Sequence, residues 1–202
     1  MPRHDDTGAE PRAGRGGRAA HADPAAVELL ALDVDGVLTD GSILMDDSGR
    51  EIKRFNIRDG LGMRVWAKLG FKLAVITGRS GGAVQHRLAE LGVGEVVQGC
   101  RDKCEALARL SQRTGVAPGR IAFLGDDWPD LGIMARVGYP MAVADAEEHV
   151  RAAAAFVTTR PGGRGAVREA VEHLLAAKGL LDRAVDLYRP ATSAAAAGQT
   201  QG

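Results

Sequence analysis

Five aspartates, a threonine and a lysine stand where they could do chemistry together. Asp33 and Asp35 lie two apart in DVDGVLTDG (33–41), Thr77 in ITGR (76–79), and Lys103 closes QGCRDK (98–103). Asp126, Asp127 and Asp130 belong to GDDWPD (125–130). If these groups meet, the carboxylates repel one another, and a hard divalent cation with oxygen ligands relieves the repulsion. Magnesium fits best, because it takes one or two carboxylates, keeps waters and leaves positions for a phosphate oxygen. Thr77 can hydrogen-bond a phosphoryl oxygen, and Lys103 supplies a fixed positive charge as negative charge builds in a transition state. These are the parts of phosphoryl transfer.

Taken singly, each piece is ordinary. An Asp at a strand end often caps a helix or forms a turn, and a lone Thr-Gly-Arg or a lone lysine at a helix start says little. Order gives the set its weight: acidic pair, threonine, lysine, acidic cluster, each at a successive strand end.

Those strands are read from short apolar runs at 29–34, 71–77, 95–98, 120–125, 139–144 and 156–159. Between them, helical patterns cover 59–69, 80–91, 103–113, 130–137 and 147–154, several followed by a stop glycine (Gly70, Gly92, Gly138). The last helix repeats Ala166, Val167, Ala170, Val171, Leu174 and Leu175 on one stripe. Strand and helix alternate, which predicts an α/β fold: a Rossmann-like parallel sheet covered by helices on both faces. In such sheets ligands bind beyond the carboxyl ends of the strands, where the acidic residues fall. The stretches 42–46 and 50–55 flank DDSG and read as a projecting β-hairpin.

The chain has 202 residues, 45% apolar and 26% charged, which suits one domain with a real core. That domain is expected over 25–189, with disordered tails at 1–24 and 190–202, both lacking apolar periodicity. Lys plus Arg (26) balances Asp plus Glu (26), so nothing calls for nucleic acid or an anionic membrane as partner. No apolar run approaches the roughly 20 residues needed to span a bilayer, and the N-terminus has no signal core. A cytoplasmic protein is expected, with Cys100 and Cys104 as reduced structural thiols.

The four ordered motifs resemble those of the haloacid dehalogenase superfamily. More narrowly, FNIRDGLGMR (55–64), QGCRDK (98–103), AVADA (142–146) and GGRGAVRE (162–169) resemble the 3-deoxy-D-manno-octulosonate 8-phosphate phosphatases. The resemblance implies a phosphatase of lipopolysaccharide sugar synthesis. In that reading Asp33 attacks phosphorus, giving an aspartyl-phosphate, while Asp35 protonates the leaving alkoxide and then activates water. It further implies magnesium held by Asp33, Asp126 and the backbone carbonyl of Asp35, with Asp127 and Asp130 orienting waters and Lys103.

By the same resemblance, Asp35, Asn56, Ile57, Arg58, Asp59, Gly60, Arg64, Arg79, Arg87 and Lys103 line the sugar site. Arg guanidinium suits the carboxylate and phosphate of an acidic sugar phosphate. Residues 36–76 are already filled by a hairpin, a helix and a strand, and 104–125 hold just one helix and a strand, so no cap domain fits. The resemblance then implies a homotetramer whose subunits cover one another's sites, with segment 162–165 and the C-terminal helix as candidates for reaching a neighbour. Two alternatives stay open: a nine-carbon substrate such as N-acylneuraminate 9-phosphate, and a phospho-receiver signalling domain. A receiver has no need of an acid two residues after its phosphoacceptor and would keep its phosphate.

Overall fold

The computed structural model describes residues 21–189. β1 (Leu29–Leu32) is buried along its whole length, as a continuous apolar run flanked on both edges must be. β4 (Lys72–Ile76) and β6 (Ile121–Gly125) pair with it in parallel, Ala31 lying opposite Ala74 on one side and Phe123 on the other. Adding β5 (Glu95–Val97), β7 (Tyr139–Ala142) and β8 (Phe156–Val157) gives the order β5-β4-β1-β6-β7-β8. The expected α/β fold without a cap domain is therefore present. The order reverses beside β1, which places a ligand crevice past the carboxyl ends of β1, β4 and β6.

Right-handed crossovers set α1 (Ile57–Lys68) and α2 (Gly82–Leu91) on one face. After the reversal they set α3 (Lys103–Thr114), α4 (Leu131–Met134) and α5 (Glu148–Ala153) on the other. α6 (Ala166–Ala177) returns to pack on α1, and the six residues of its predicted stripe are all buried. Each such Val or Leu contributes about 1.5–3 kcal/mol. The two helices approach closely at Gly62, where a Cβ would lie 3.1 Å from the Cα of Arg168.

α7 (Leu181–Asp186) follows and was not foreseen, since two short turns carry no periodic signal. α4 is one turn long, shorter than the expected 130–137. Gly138 is not its stop: a Cβ there would fall 2.0 Å from the Gly119 carbonyl oxygen, so this glycine permits a close backbone crossing. The hairpin consists of β2 (Leu44–Met45) and β3 (Glu51–Ile52), with only two facing pairs. It exposes Ile43, Leu44, Met45 and Ile52 at 47–62%, whereas Phe55 turns back against the core.

The tail expected through residue 24 gives way to structure slightly earlier. Ala22 N–H donates to the Gly138 carbonyl at 2.9 Å, and Asp23 caps a 3-10 turn over Pro24–Ala26. Residues 1–20 and 190–202 lie outside the described part. Among the described residues no helix is long and apolar enough to cross a membrane.

Candidate active site

Asp33 is the first residue past β1. Its N–H donates to the Leu124 carbonyl at 3.1 Å, which fixes it at the carboxyl end of the sheet beside β6. Gly125 then closes β6, and a Cβ on it would meet the Asp130 carboxylate at 2.5 Å. A Cβ on Gly36, whose φ is +82°, would lie 1.9 Å from Asp126 Oδ2. Both glycines leave the space that carboxylates fill.

The result is a compact acidic group in which one oxygen from each of Asp33, Asp126 and Asp130 lies within 4.8 Å of the others. Lys103, at the first turn of α3, enters it with 8% exposure and donates to Asp33 Oδ2 (2.7 Å) and Asp130 Oδ1 (2.6 Å). Burial works against the Lys103 charge, but Asp33 and Asp130 outweigh it and raise its pKa. The second Asp130 oxygen accepts from the Asp126 and Asp127 N–H groups at 2.9 and 3.4 Å. Asp130 is thus fully used in holding Lys103 and the turn.

Asp33 and Asp126 remain under electrostatic tension. Burial, then the Asp130 charge, pushes the Asp33 carboxyl up to about 6 despite Lys103. Burial, then Asp130 and Asp33, pushes Asp126 up to about 8. Asp126 Oδ1 is buried and accepts no hydrogen bond from any described residue. Such an orphaned carboxyl oxygen beside a second carboxyl group suits a hard divalent cation, so the residues present fit a magnesium-sized ion. Asp127 is exposed and its carboxylate accepts from Trp128 N–H at 2.7 Å, a helix-capping bond.

Thr77 follows β4 and is 2% exposed, with its hydroxyl accepting from Arg79 N–H at 3.3 Å. Asp35 is more open, and its carboxylate is held by Lys53 and, at 3.8 Å, by Arg79 Nε. Lys53 and its neighbour Glu51 are site residues that motif reading missed. A signal existed: Glu51 and Lys53 alternate with Ile52, so they share the strand face opposite the exposed apolar one.

The residues expected at the sugar divide. Arg58, Gly60, Arg64 and Arg87 line a pocket of about 470 Å³ together with Ile57, Leu61, Glu90 and Leu91, and none of the acidic-rim residues takes part in it. Arg87 crosses over Gly60, and it pairs with Glu90 at 2.7 Å. Asn56 caps α1 by accepting from Arg58 N–H at 2.8 Å. Asp59 is 1% exposed and accepts from the Gly165 and Arg168 N–H groups at 3.1 and 2.9 Å, so its carboxylate tethers the start of α6. Burial nevertheless keeps its pKa raised. Segment 162–165 also works within the chain: Gly163 N–H donates to the Val37 carbonyl at 2.9 Å, and a Cβ on Gly162 would meet the Gly36 oxygen at 1.7 Å. It buttresses the loop after β1, while the Arg164 side chain stays exposed.

Comparison with known proteins adds the family. Residues 94–169 match the family model of haloacid dehalogenase-like hydrolases. The chain is 45% identical over 158 residues to 3-deoxy-D-manno-octulosonate 8-phosphate phosphatase KdsC of Escherichia coli K12, covering 78% of this chain and 84% of that one. A crystal structure of the Moraxella catarrhalis 3-deoxy-D-manno-octulosonate 8-phosphate phosphatase, in complex with magnesium, phosphate and KDO, superposes with a TM-score of 0.80. It is 38% identical and covers 83% of this chain and 96% of that one. The Yersinia pestis phosphatase structure gives a TM-score of 0.78 at 41% identity, over 79% and 86% of the two chains. This chain belongs to the 3-deoxy-D-manno-octulosonate 8-phosphate phosphatase family of the haloacid dehalogenase-like hydrolases.

Proposed function

We propose that this phosphoric monoester hydrolase is magnesium-dependent and releases phosphate from 3-deoxy-D-manno-octulosonate 8-phosphate, in the cytoplasm, during lipopolysaccharide precursor synthesis. The observation that carries the reading is Lys103 clamped between Asp33 and Asp130 beside the unpartnered oxygen of Asp126. Magnesium would be held by Asp33, Asp126 and the Asp35 carbonyl, and when bound it offsets negative charge on the phosphoryl oxygens. A carboxylate of Asp33 forms a bond to phosphorus as the bond from phosphorus to the sugar oxygen breaks. Asp35 gives its proton to that oxygen, then takes one from the water that cleaves the aspartyl-phosphate, returning Asp33 and free phosphate. Lys103 holds Asp33 in place and balances the charge that develops, while Thr77 donates its hydroxyl to a phosphoryl oxygen.

The arginine pocket stands apart from the acidic rim within one chain, which favours an assembly in which a neighbour's arginines close the site. The exposed apolar residues of the hairpin support a homotetramer, because free-standing hairpins rarely carry so much apolar surface. Phosphate release from a panel of eight- and nine-carbon acidic sugar phosphates tests the substrate. The eight-carbon compound should show the highest kcat/KM; a higher value for N-acylneuraminate 9-phosphate would overturn the assignment, and phosphate retained on the protein without turnover would overturn the enzyme reading.

A further inference from the structure

Lys53 is a nearly buried cation that the phosphatase chemistry above does not use. Its side chain is 4% exposed, and it reaches the site from the position just past hairpin strand β3, not from the sheet. It donates to Asp35 Oδ1 and, at 3.1 Å, to Glu51 Oε1. The same Glu51 oxygen accepts from Arg79 at 2.8 Å, and Arg79 Nε stands 3.8 Å from Asp35 Oδ2. Asp35, Lys53, Glu51 and Arg79 therefore form a closed ring of charges, in which two cations and an anion fix a fourth group. Ladder pairing of Met45 with Glu51 and of Leu44 with Ile52 sets the orientation of this strand. Alternation along it aims Glu51 and Lys53 inward and Ile52 outward.

We propose that Lys53 is a positioning residue that holds the Asp35 carboxyl in the one orientation from which it can protonate the departing oxygen. The inference rests on the reading of Asp35 as the general acid. Lys53 occupies Asp35 Oδ1, while Oδ2, whose ion-pair partner Arg79 Nε stands at 3.8 Å and beyond hydrogen-bond reach, is the oxygen that carries the transferred proton. Without Lys53 the side chain of Asp35, two residues from Asp33 and partly open to solvent, is free to rotate away.

The test uses the full chain and a series of substituted phenyl phosphates of rising leaving-group pKa, together with the acidic sugar phosphate. The parameter kcat/KM covers the steps up to leaving-group departure, where an acid matters in proportion to the basicity of the oxygen it protonates. For Lys53→Met the loss should be small with 4-nitrophenyl phosphate, should grow along the series, and should reach on the order of 10²-fold with the sugar phosphate. Lys53→Arg should recover much of it. Glu51→Gln, which loosens Lys53 without removing it, should show the same trend more weakly, and it carries the test if Lys53→Met fails to fold. An equal loss across the series, with no dependence on leaving group, would overturn the proposal. Asp35→Asn is the reference: if its own loss does not grow with leaving-group pKa, the acid role of Asp35 is what has failed. If it does grow while that of Lys53→Met does not, only the role of Lys53 falls.

Discussion

Replacing Asp126 with Asn should make the metal-free protein more stable while abolishing its response to magnesium. Asp126 and Asp33 have carboxyl pKa values of about 8 and about 6, above the ordinary 3.8. Both bind protons more tightly in the folded chain than in the unfolded one, so without metal the fold loses stability as pH rises from about 4 toward about 8. A rise from 3.8 to about 8 amounts to on the order of 5 kcal/mol once Asp126 is ionised. Water entering the open rim takes up part of that, leaving about 2–3 kcal/mol. An Asn amide carries no charge and can donate to the carboxylates beside it. Since 1 kcal/mol moves Tm by about 2–4 °C in a domain of this size, Asp126→Asn in chelator near pH 8.5 should melt about 4–12 °C above the parent. Near pH 5.5, where Asp126 is protonated, the gap should close. Magnesium should raise the parent Tm, more near pH 8.5 than near pH 5.5, and should barely move the variant. Thermal melts followed by circular dichroism, with chelator or with magnesium at the two pH values, read all four quantities. A variant that melts below the parent in chelator near pH 8.5, or that gains as much from magnesium as the parent does, would refute the reasoning.

Asp33→Asn should keep the fold and lose turnover; steady-state phosphate release above about one per cent of the parent value would rule out nucleophilic catalysis by Asp33. Chelator should silence the enzyme and magnesium restore it, with calcium a poor substitute because its looser shell misplaces the phosphate; full activity in excess chelator would contradict the metal requirement. Asp59→Ala should lower stability by about 2–3 kcal/mol, by orphaning the Gly165 and Arg168 N–H groups, and should leave KM for the sugar phosphate unchanged. Chemical denaturation and kinetics on the same sample check both halves. If the proposed homotetramer forms, Leu44→Ser combined with Met45→Ser should yield smaller species by light scattering, and an unchanged mass would show that the hairpin is not the assembly surface.

The strand ends that carry Asp33, Thr77 and Asp126 and the helix start that carries Lys103 were legible in the sequence because each is announced by a local apolar run or a turn. The hairpin was legible for the same reason, through DDSG between two short extended stretches. What escaped depends on partners far away in sequence. Asp59 looks like any first-turn helix acid, and only its pairing with residues more than a hundred positions later reveals a tether. Lys53 and Glu51 look like solvated strand charges until the hairpin folds over Asp35. Gly115 closes α3 in the left-handed conformation at φ +71° but follows a polar stretch with no apolar period to mark the stop.

β1 is the first strand of this sheet to leave the ribosome, yet it lies in the sheet interior. One of its edges meets β4 early in synthesis. The other must wait for β6, about ninety residues later, which is roughly 5–20 s at about 5–20 residues per second. Through that interval a fully apolar strand presents an open edge, the geometry by which nascent chains pair with one another. Asp33 waits at its end without Asp126 or Asp130, so no cation held between them can help the chain to fold until residue 130 has emerged. The open edge of β1 is therefore covered only when β6 emerges, about ninety residues after β1 itself.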